Sequence, residues 1–211
     1  MERNRSVLSI LCGMPRKREP AGAAVLQESV TSAITTALFD ELAETGYARM
    51  SVDAVARRAG VGKAAVYRRW PSKQAMLLDL LDTAVRRNVP EVPDSGSLAG
   101  DVRGFLDVIV AQVADPRIKR IALDMAAETT RSPELGAALR ETVAGPRRAA
   151  AATVLSRGIE RGELPADIDR ELGLDLLISP LLGRLLLIGG PVDDAYLTRL
   201  TTVIVAGLTS A

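Results

Sequence analysis

The stretch "SVDAVARRAGVGKAAVYRRWPSK", Ser51 to Lys73, sets two short apolar-periodic segments around a Gly-containing joint and gathers Arg58, Lys63, Arg68, Arg69 and Lys73 along it. Ser51 stands where it caps a first helix running through Ala59, with Asp53 in the first turn, where a carboxylate suits the positive helix end. Gly60 ends that helix, and a second spans about Lys63 to Trp70 before Pro71 stops it. Such a pair needs a residue tolerant of unusual backbone angles at the joint, a small residue at the crossing and an apolar anchor on the second helix. Gly60, Ala56 and Val66 fill those places, with Val52, Val55 and Val61 between them. Val66 and Trp70 then point inward, while Lys63, Ala64, Tyr67 and Arg68 share the opposite face by i, i+3 and i+4 spacing. A short, exposed, cationic face of this kind suits a DNA groove.

The rest of the chain is organised around that element. Of its 211 residues 47% are apolar, Ala, Leu and Arg are abundant, and β-branched or aromatic runs are few, so an all-α protein is expected. The length allows one extended unit or a small module joined to a larger one. Net charge is only +1, but residues 1 to 88 hold 14 Lys/Arg against 9 Asp/Glu, whereas residues 89 to 211 hold 13 against 17. A polyanion therefore fits the first part and not the second.

Histidine is absent, which removes the usual general base and the commonest zinc nitrogen ligand, so neither catalytic nor metal-binding residues are assigned and no cofactor is expected. Cys12 has no intrachain disulfide partner, which points to a reducing, cytoplasmic setting. "SVLSILCGM" followed by "PRKR" makes a poor signal peptide: its apolar core is short and the charge follows it. Residues 1–22 read as a flexible basic tail, in which Pro15 to Arg18 serve solubility or reach DNA as an arm. The most apolar stretch, Leu172 to Gly190, is interrupted by Asp175, Pro180 and Arg184 and reads as a buried or interfacial helix with no membrane partner.

Periodicity predicts a first helix from Ala23 to Thr45 with Val30, Ile34, Leu38 and Leu42 on one face, stopped by Gly46. After Trp70, Ser72 caps a helix to about Asn88, and the turn-forming segment "VPEVPDSGS", Val89 to Ser97, forms a junction. Helices at about 101–114, 117–130, 133–161, 168–188 and 193–209 follow, broken at "DP", "SP", "GELPADID" and "GGPVDD".

"GVGKAAVYRRWPSKQAMLLDLL" closely resembles the signature of the TetR family of transcriptional regulators, in motif detail over residues 23–88 and loosely in the helical remainder. Gly60, Val61, Lys63, Tyr67, Arg68, Trp70, Pro71, Ser72 and Lys73 fall at the family's positions. Gly62 departs from the family's Ser or Thr, which weakens the recognition-helix cap, and Trp70 replaces a smaller aromatic. The resemblance implies a helix-turn-helix DNA-binding domain over 23–70 and a ligand-binding and dimerisation domain over 71–211. It also implies a repressor that binds a palindromic double-stranded operator as a homodimer and is released by a small-molecule effector. Carried over residue by residue, Ser51, Tyr67 and Lys73 match phosphate-contacting positions and Lys63, Ala64 and Arg68 base-facing ones, with Gly62 at the recognition-helix cap. A protein-interaction module on the same fold, without sequence-specific DNA binding, is the rival.

In the C-terminal part the dimer surface is expected on the last two long helices, at Leu177, Leu181, Arg184, Leu185, Ile188, Leu197, Leu200 and Ile204. Effector contacts are expected from Phe105, Gln112, Asp124, Met125 and Glu128. Past the junction only Phe105 and Tyr196 are aromatic, which favours an aliphatic or amphipathic effector over a multiaromatic cation. Single charges at Asp107, Asp124, Glu128, Asp175 and Arg184 read first as wet or ion-paired side chains, and Arg184 as meeting a carboxylate or helix-end carbonyls across the dimer. The carboxylates of "LPADID" and "PVDD" sit where Asp is an ordinary N-cap, so no enzyme is expected.

Overall fold

The computed structural model describes residues 22–88 and 92–210; the predicted basic tail over 1–22, with Cys12 and Pro15 to Arg18, lies outside them except for Gly22. The described residues are all-helical, with no strand among them. In chain order the helices are α1 (Gly22–Arg49), α2 (Val52–Arg58), α3 (Lys63–Tyr67), α4 (Lys73–Asn88), α5 (Leu98–Val113), α6 (Pro116–Arg131), α7 (Pro133–Leu139), α8 (Gly145–Glu160), α9 (Arg170–Leu182) and α10 (Asp194–Ser210). Two π-helical segments, Arg140–Ala144 and Gly183–Ile188, follow α7 and α9.

The starts follow from short polar side chains that accept otherwise orphaned N–H groups. Ser51, Ser97, Ser132 and Asp169 accept from Ala54, Gly100, Leu135 and Leu172 respectively. Asp193 accepts from Tyr196 at 2.7 Å, so the carboxylates of "LPADID" and "PVDD" include the caps of α9 and α10. One long helix was expected over 133–161, whereas the structure widens it into a π segment before Pro146. Proline lacks an N–H and its ring crowds the carbonyl four residues back, so the local helix loosens rather than continuing in α register.

The chain forms two compact units, one holding residues up to Asn88 together with Asp115–Thr142, the other Val89–Ala114 and Val143–Ala211. This division departs from the expected boundary at residue 70. Helices α6 and α7 join the first unit because Ile121, Met125, Leu135 and Leu139 are buried there, α6 against α1 and α7 against α4. The same unit buries the expected face of α1, Ile34, Leu38 and Leu42, along with Val55, Val66 and Met76.

The second unit surrounds a core that includes Leu106, Ile109, Val154, Leu155, Leu177 and Ile204, contributed by α5, α8, α9 and α10. At its edge Asp101 is fully buried and accepts from the N–H and hydroxyl of Ser95, both at 2.8 Å, and from Arg161 Nη2 at 2.8 Å. Burial opposes ionisation of Asp101, but the Ser95 N–H, the Arg161 guanidinium and the Ser95 hydroxyl together hold its carboxyl below the usual range. Its folded pKa is lowered, so its contribution is complete above about pH 5 and is lost as pH falls through the folded value. Asp101→Asn is expected to destabilise the protein by roughly 3 kcal/mol and to flatten the acid limb of stability against pH, as read by urea unfolding between pH 3 and 7.

Candidate nucleic-acid interface

The helix-turn-helix is built from α2 and α3. Gly60 at the joint has φ 69°, a left-handed conformation that costs glycine little, so the sequence reading of that position holds. Its N–H donates to the Arg57 carbonyl and that of Val61 to the Ala56 carbonyl, closing the turn. Val55, Ala56 and Val66 are buried, which fixes α3 across α2. Trp70 is buried too, and its Nε1 donates to Asp79 Oδ2 at 2.8 Å, tying the end of the motif to α4.

With Val66 and Trp70 inside, Gly62, Lys63, Ala64, Tyr67, Arg68 and Arg69 are exposed, as is Ser51 at the head of α2. The structure thus brings six of the seven expected DNA contacts to the surface of one motif. Lys63 Nζ lies 2.8 Å from Asp53 Oδ2, and the hydrogen bond raises its pKa. Both side chains are more than half exposed, so the pair is solvent-screened and easily exchanged for a phosphate or a base edge. Gly62 is an N-cap without a side-chain hydrogen bond, as its missing hydroxyl requires.

Lys73 departs from expectation. Its Nζ donates to the carbonyls of Tyr47, Ala48 at 3.3 Å and Met50 at 3.1 Å, and lies 4.2 Å from the centre of the Tyr47 ring. Burial lowers its pKa, against the pull of Glu128 and Asp124. A lysine has three N–H donors, and all three have protein acceptors here, so the side chain holds the end of α1 rather than facing outward. Arg58 is likewise committed, 2.8 Å from Glu44 Oε1 and 3.4 Å from the buried Glu41.

The expected effector contacts do not gather within one unit. Asp124, Met125 and Glu128 lie in the first, where Asp124 Oδ2 accepts the Tyr47 N–H at 2.7 Å and the buried Glu128 pairs with Arg131. Phe105 and Gln112 lie in the second, Phe105 fully within the core. Asp107 and Asp175 are ion-paired to Arg103 and Arg148, as solvated charges should be.

The expected dimer face is also out of phase in part. Leu177, Leu181, Leu197 and Ile204 belong to the second unit's own core, because a helix that covers α5 and α8 must spend its most apolar stripe internally. Leu185, Leu200 and Arg184 are half-buried, and Ile188 is 73% exposed. Arg184 Nε donates to the Pro191 carbonyl at 3.0 Å, and its guanidinium stacks 4.2 Å from the Tyr196 ring, so it finds its partners within its own unit. Among the described residues of the second unit, Leu172, Leu187 and Val203 are exposed large apolar residues that periodicity alone did not select.

This motif, followed by a second helical unit, defines a helix-turn-helix regulator. The model of bacterial regulatory proteins of the tetR family matches residues 34–80, and that of the tetracyclin repressor-like C-terminal domain matches residues 92–204. The chain is 34% identical over 174 residues to the HTH-type transcriptional regulator YdeS of Bacillus subtilis, covering 82% of this chain and 86% of YdeS. It is 33% identical over 175 residues to the DNA-binding transcriptional repressor TetR of Mycobacteroides abscessus, covering 82% of this chain and 90% of that protein. The crystal structure of the TetR family transcription regulator SCO0332 superposes with a TM-score of 0.65 at 31% identity, over 85% of this chain and 98% of that one. The chain belongs to the TetR family of DNA-binding transcriptional regulators and is not an enzyme. No helix among the described residues is long and apolar enough to cross a membrane, and no cluster of potential metal ligands occurs among them.

Lys73→Met leaves three carbonyls at the end of α1 without their donor. It is expected to cost about 2 kcal/mol, and an unchanged urea-unfolding midpoint would show that these hydrogen bonds do not form in solution.

Proposed function

We propose that this regulator is a cytoplasmic repressor that binds a palindromic operator as a homodimer and leaves it when a small molecule binds the helical region beyond the DNA-binding motif. The carrying observation is the exposed set on α3, in which Lys63, Ala64 and Arg68 face outward as base-reading residues while Val66 and Trp70 anchor the helix. Ser51 and Tyr67 flank that set as phosphate contacts; the Ser51 oxygen caps α2, and its hydroxyl proton remains available to a phosphate. Gly62 lets the backbone approach the DNA closely. The repressor role is supported by the likeness to the Mycobacteroides abscessus repressor.

Dimerisation is supported by Leu172, Leu187, Ile188 and Val203, which expose large apolar side chains on α9, its π extension and α10. A two-fold dimer presenting two recognition helices implies half-sites spaced by about 34–36 Å, one turn of B-DNA, or a modest extension of it. The half-buried Arg184, Leu185 and Leu200 flank that surface.

Lys63→Glu combined with Arg68→Glu is expected to abolish operator-specific gel shifts at fixed salt while leaving thermal unfolding unchanged. Arg68→Met alone is expected to weaken operator binding by about 1–3 kcal/mol and to relax the preference at the base pair it reads, as measured by gel shifts on single-base operator variants. Unaltered operator binding in the double variant overturns the base-reading role of Lys63 and Arg68, whereas a parent protein without salt-dependent, operator-specific binding favours a protein-interaction module on the same fold. Val203→Asp is expected to weaken self-association by about 2 kcal/mol, some thirtyfold, in sedimentation equilibrium at micromolar concentration.

A further inference from the structure

In the second unit, Arg147 continues the core-facing stripe of α8. Ala151, Val154, Leu155 and Gly158 are buried, and Arg147 stands four, seven, eight and eleven residues before them, on the same helical face. A guanidinium at the end of an apolar stripe ordinarily has a carboxylate beside it. Among the described residues Arg147 has none, and it donates from Nη2 to Gln112 Oε1 at 3.1 Å, from α8 to α5. Its Nε is the one buried side-chain nitrogen or oxygen among the described residues without a hydrogen-bond partner. Burial alone acts on the group and lowers its pKa, with no opposing charge to raise it.

Arg103, Arg148 and Arg161 of the same unit each meet at least one carboxylate. Arg170 and Arg184, like Arg147, meet none among the described residues, but neither holds an enclosed nitrogen without a partner, as Arg147 does. Arg147 is half-buried, with its Nε enclosed; an enclosed N–H without an acceptor is costly, and an anion that accepts from Nε and Nη offsets the cost through two parallel charge-assisted hydrogen bonds. The body of such an anion meets an aliphatic unit, because Phe105 is spent in the core and the Tyr196 ring is covered by Arg184.

We infer that Arg147 and Gln112 form the head-group site for an effector with an anionic head and an aliphatic body, the head being a carboxylate or a phosphate. The inference rests on the effector-controlled reading above; of the polar effector contacts expected from the sequence it keeps Gln112 and sets aside Asp124 and Glu128. Both of those are acidic and already hydrogen-bonded in the first unit, so they would repel the head proposed here.

The test is calorimetric titration of the full-length protein, without DNA, by straight-chain carboxylates from butanoate to hexadecanoate, the matching alkyl phosphates and the matching alcohols. At least one carboxylate or phosphate should bind ten times more tightly than its alcohol, and the carboxylate and phosphate series show which head the site takes. Arg147→Met should remove that tenfold preference while leaving the affinity for the alcohol unchanged. Without ligand it should unfold at the same temperature as the parent or higher, since a half-buried charge with an enclosed, unpartnered Nε has been replaced by an apolar chain. Arg147→Lys retains a charge but not the fork and should recover only part of the preference.

Equal binding of acids and alcohols, or no binding by either acid series, overturns the proposal. So does an Arg147→Met protein that is destabilised and dissociates, because the guanidinium would then be paired with a second copy. A gel shift with the tightest ligand separates this inference from the regulatory reading. Selective binding through Arg147 without DNA release leaves the anion site standing and removes its role as the effector site.

Discussion

Lys73 and Asp124 converge on the break in α1, and the geometry of the DNA-binding motif descends from that point. Gly46 has φ 74°, and a Cβ there would lie 2.8 Å from Asp124 Oδ1, so both the backbone angle and the approach of the carboxylate require glycine. Asp124 accepts the Tyr47 N–H just past the break, and Lys73 donates to the carbonyls of Tyr47, Ala48 and Met50 that follow. Ser51 then starts α2 at once. A backbone turned this sharply between two helices leaves several polar groups without helical partners, and one acid and one base supply them from α6 and α4.

That convergence places α6 in the same unit as the helix-turn-helix. Arg117 on α6 lies 3.3 Å from Asp40, and Arg120 donates to the Ala43 carbonyl at 3.1 Å, so α6 is bound to α1 along its length as well as at Gly46. Helix α6 also follows α5 through only Ala114 and its N-cap Asp115. The chain segment that leaves the second unit therefore enters the first as the element that holds the break in α1.

The two units solve their polar problems differently. The first uses short-range ion pairs and a committed lysine to support a surface whose outward residues remain available. The second has an almost wholly aliphatic core, with a satisfied acid at Asp101 and, on the α8 stripe, a half-buried base at Arg147 whose Nε lacks a partner. A satisfied buried group contributes to one unit's stability; an unsatisfied one is costly alone and gains most when something binds it.

The sequence by itself determined the helical class, the helix-turn-helix and its outward face. Those depend on local spacing and on residues such as Gly60, Val66 and Trp70, whose roles follow from neighbours within a few turns. The cap at Ser51 and the capping aspartate of "LPADID" were legible for the same reason, since a cap is a contact over two or three residues, whereas the start of α5 behind Ser97 came earlier than the expected 101. The direction of Lys73, the placing of Asp124 77 residues from the N–H it accepts, and the internal burial of Leu177, Leu181, Leu197 and Ile204 were decided only by tertiary structure. A helix has one apolar stripe whether it faces its own core or a partner, so periodicity cannot apportion it between them. Arg147 shows the same limit from the polar side: its spacing from Ala151 and Val154 set it on the core face, but only the packing of α8 against α5 left its Nε without a partner.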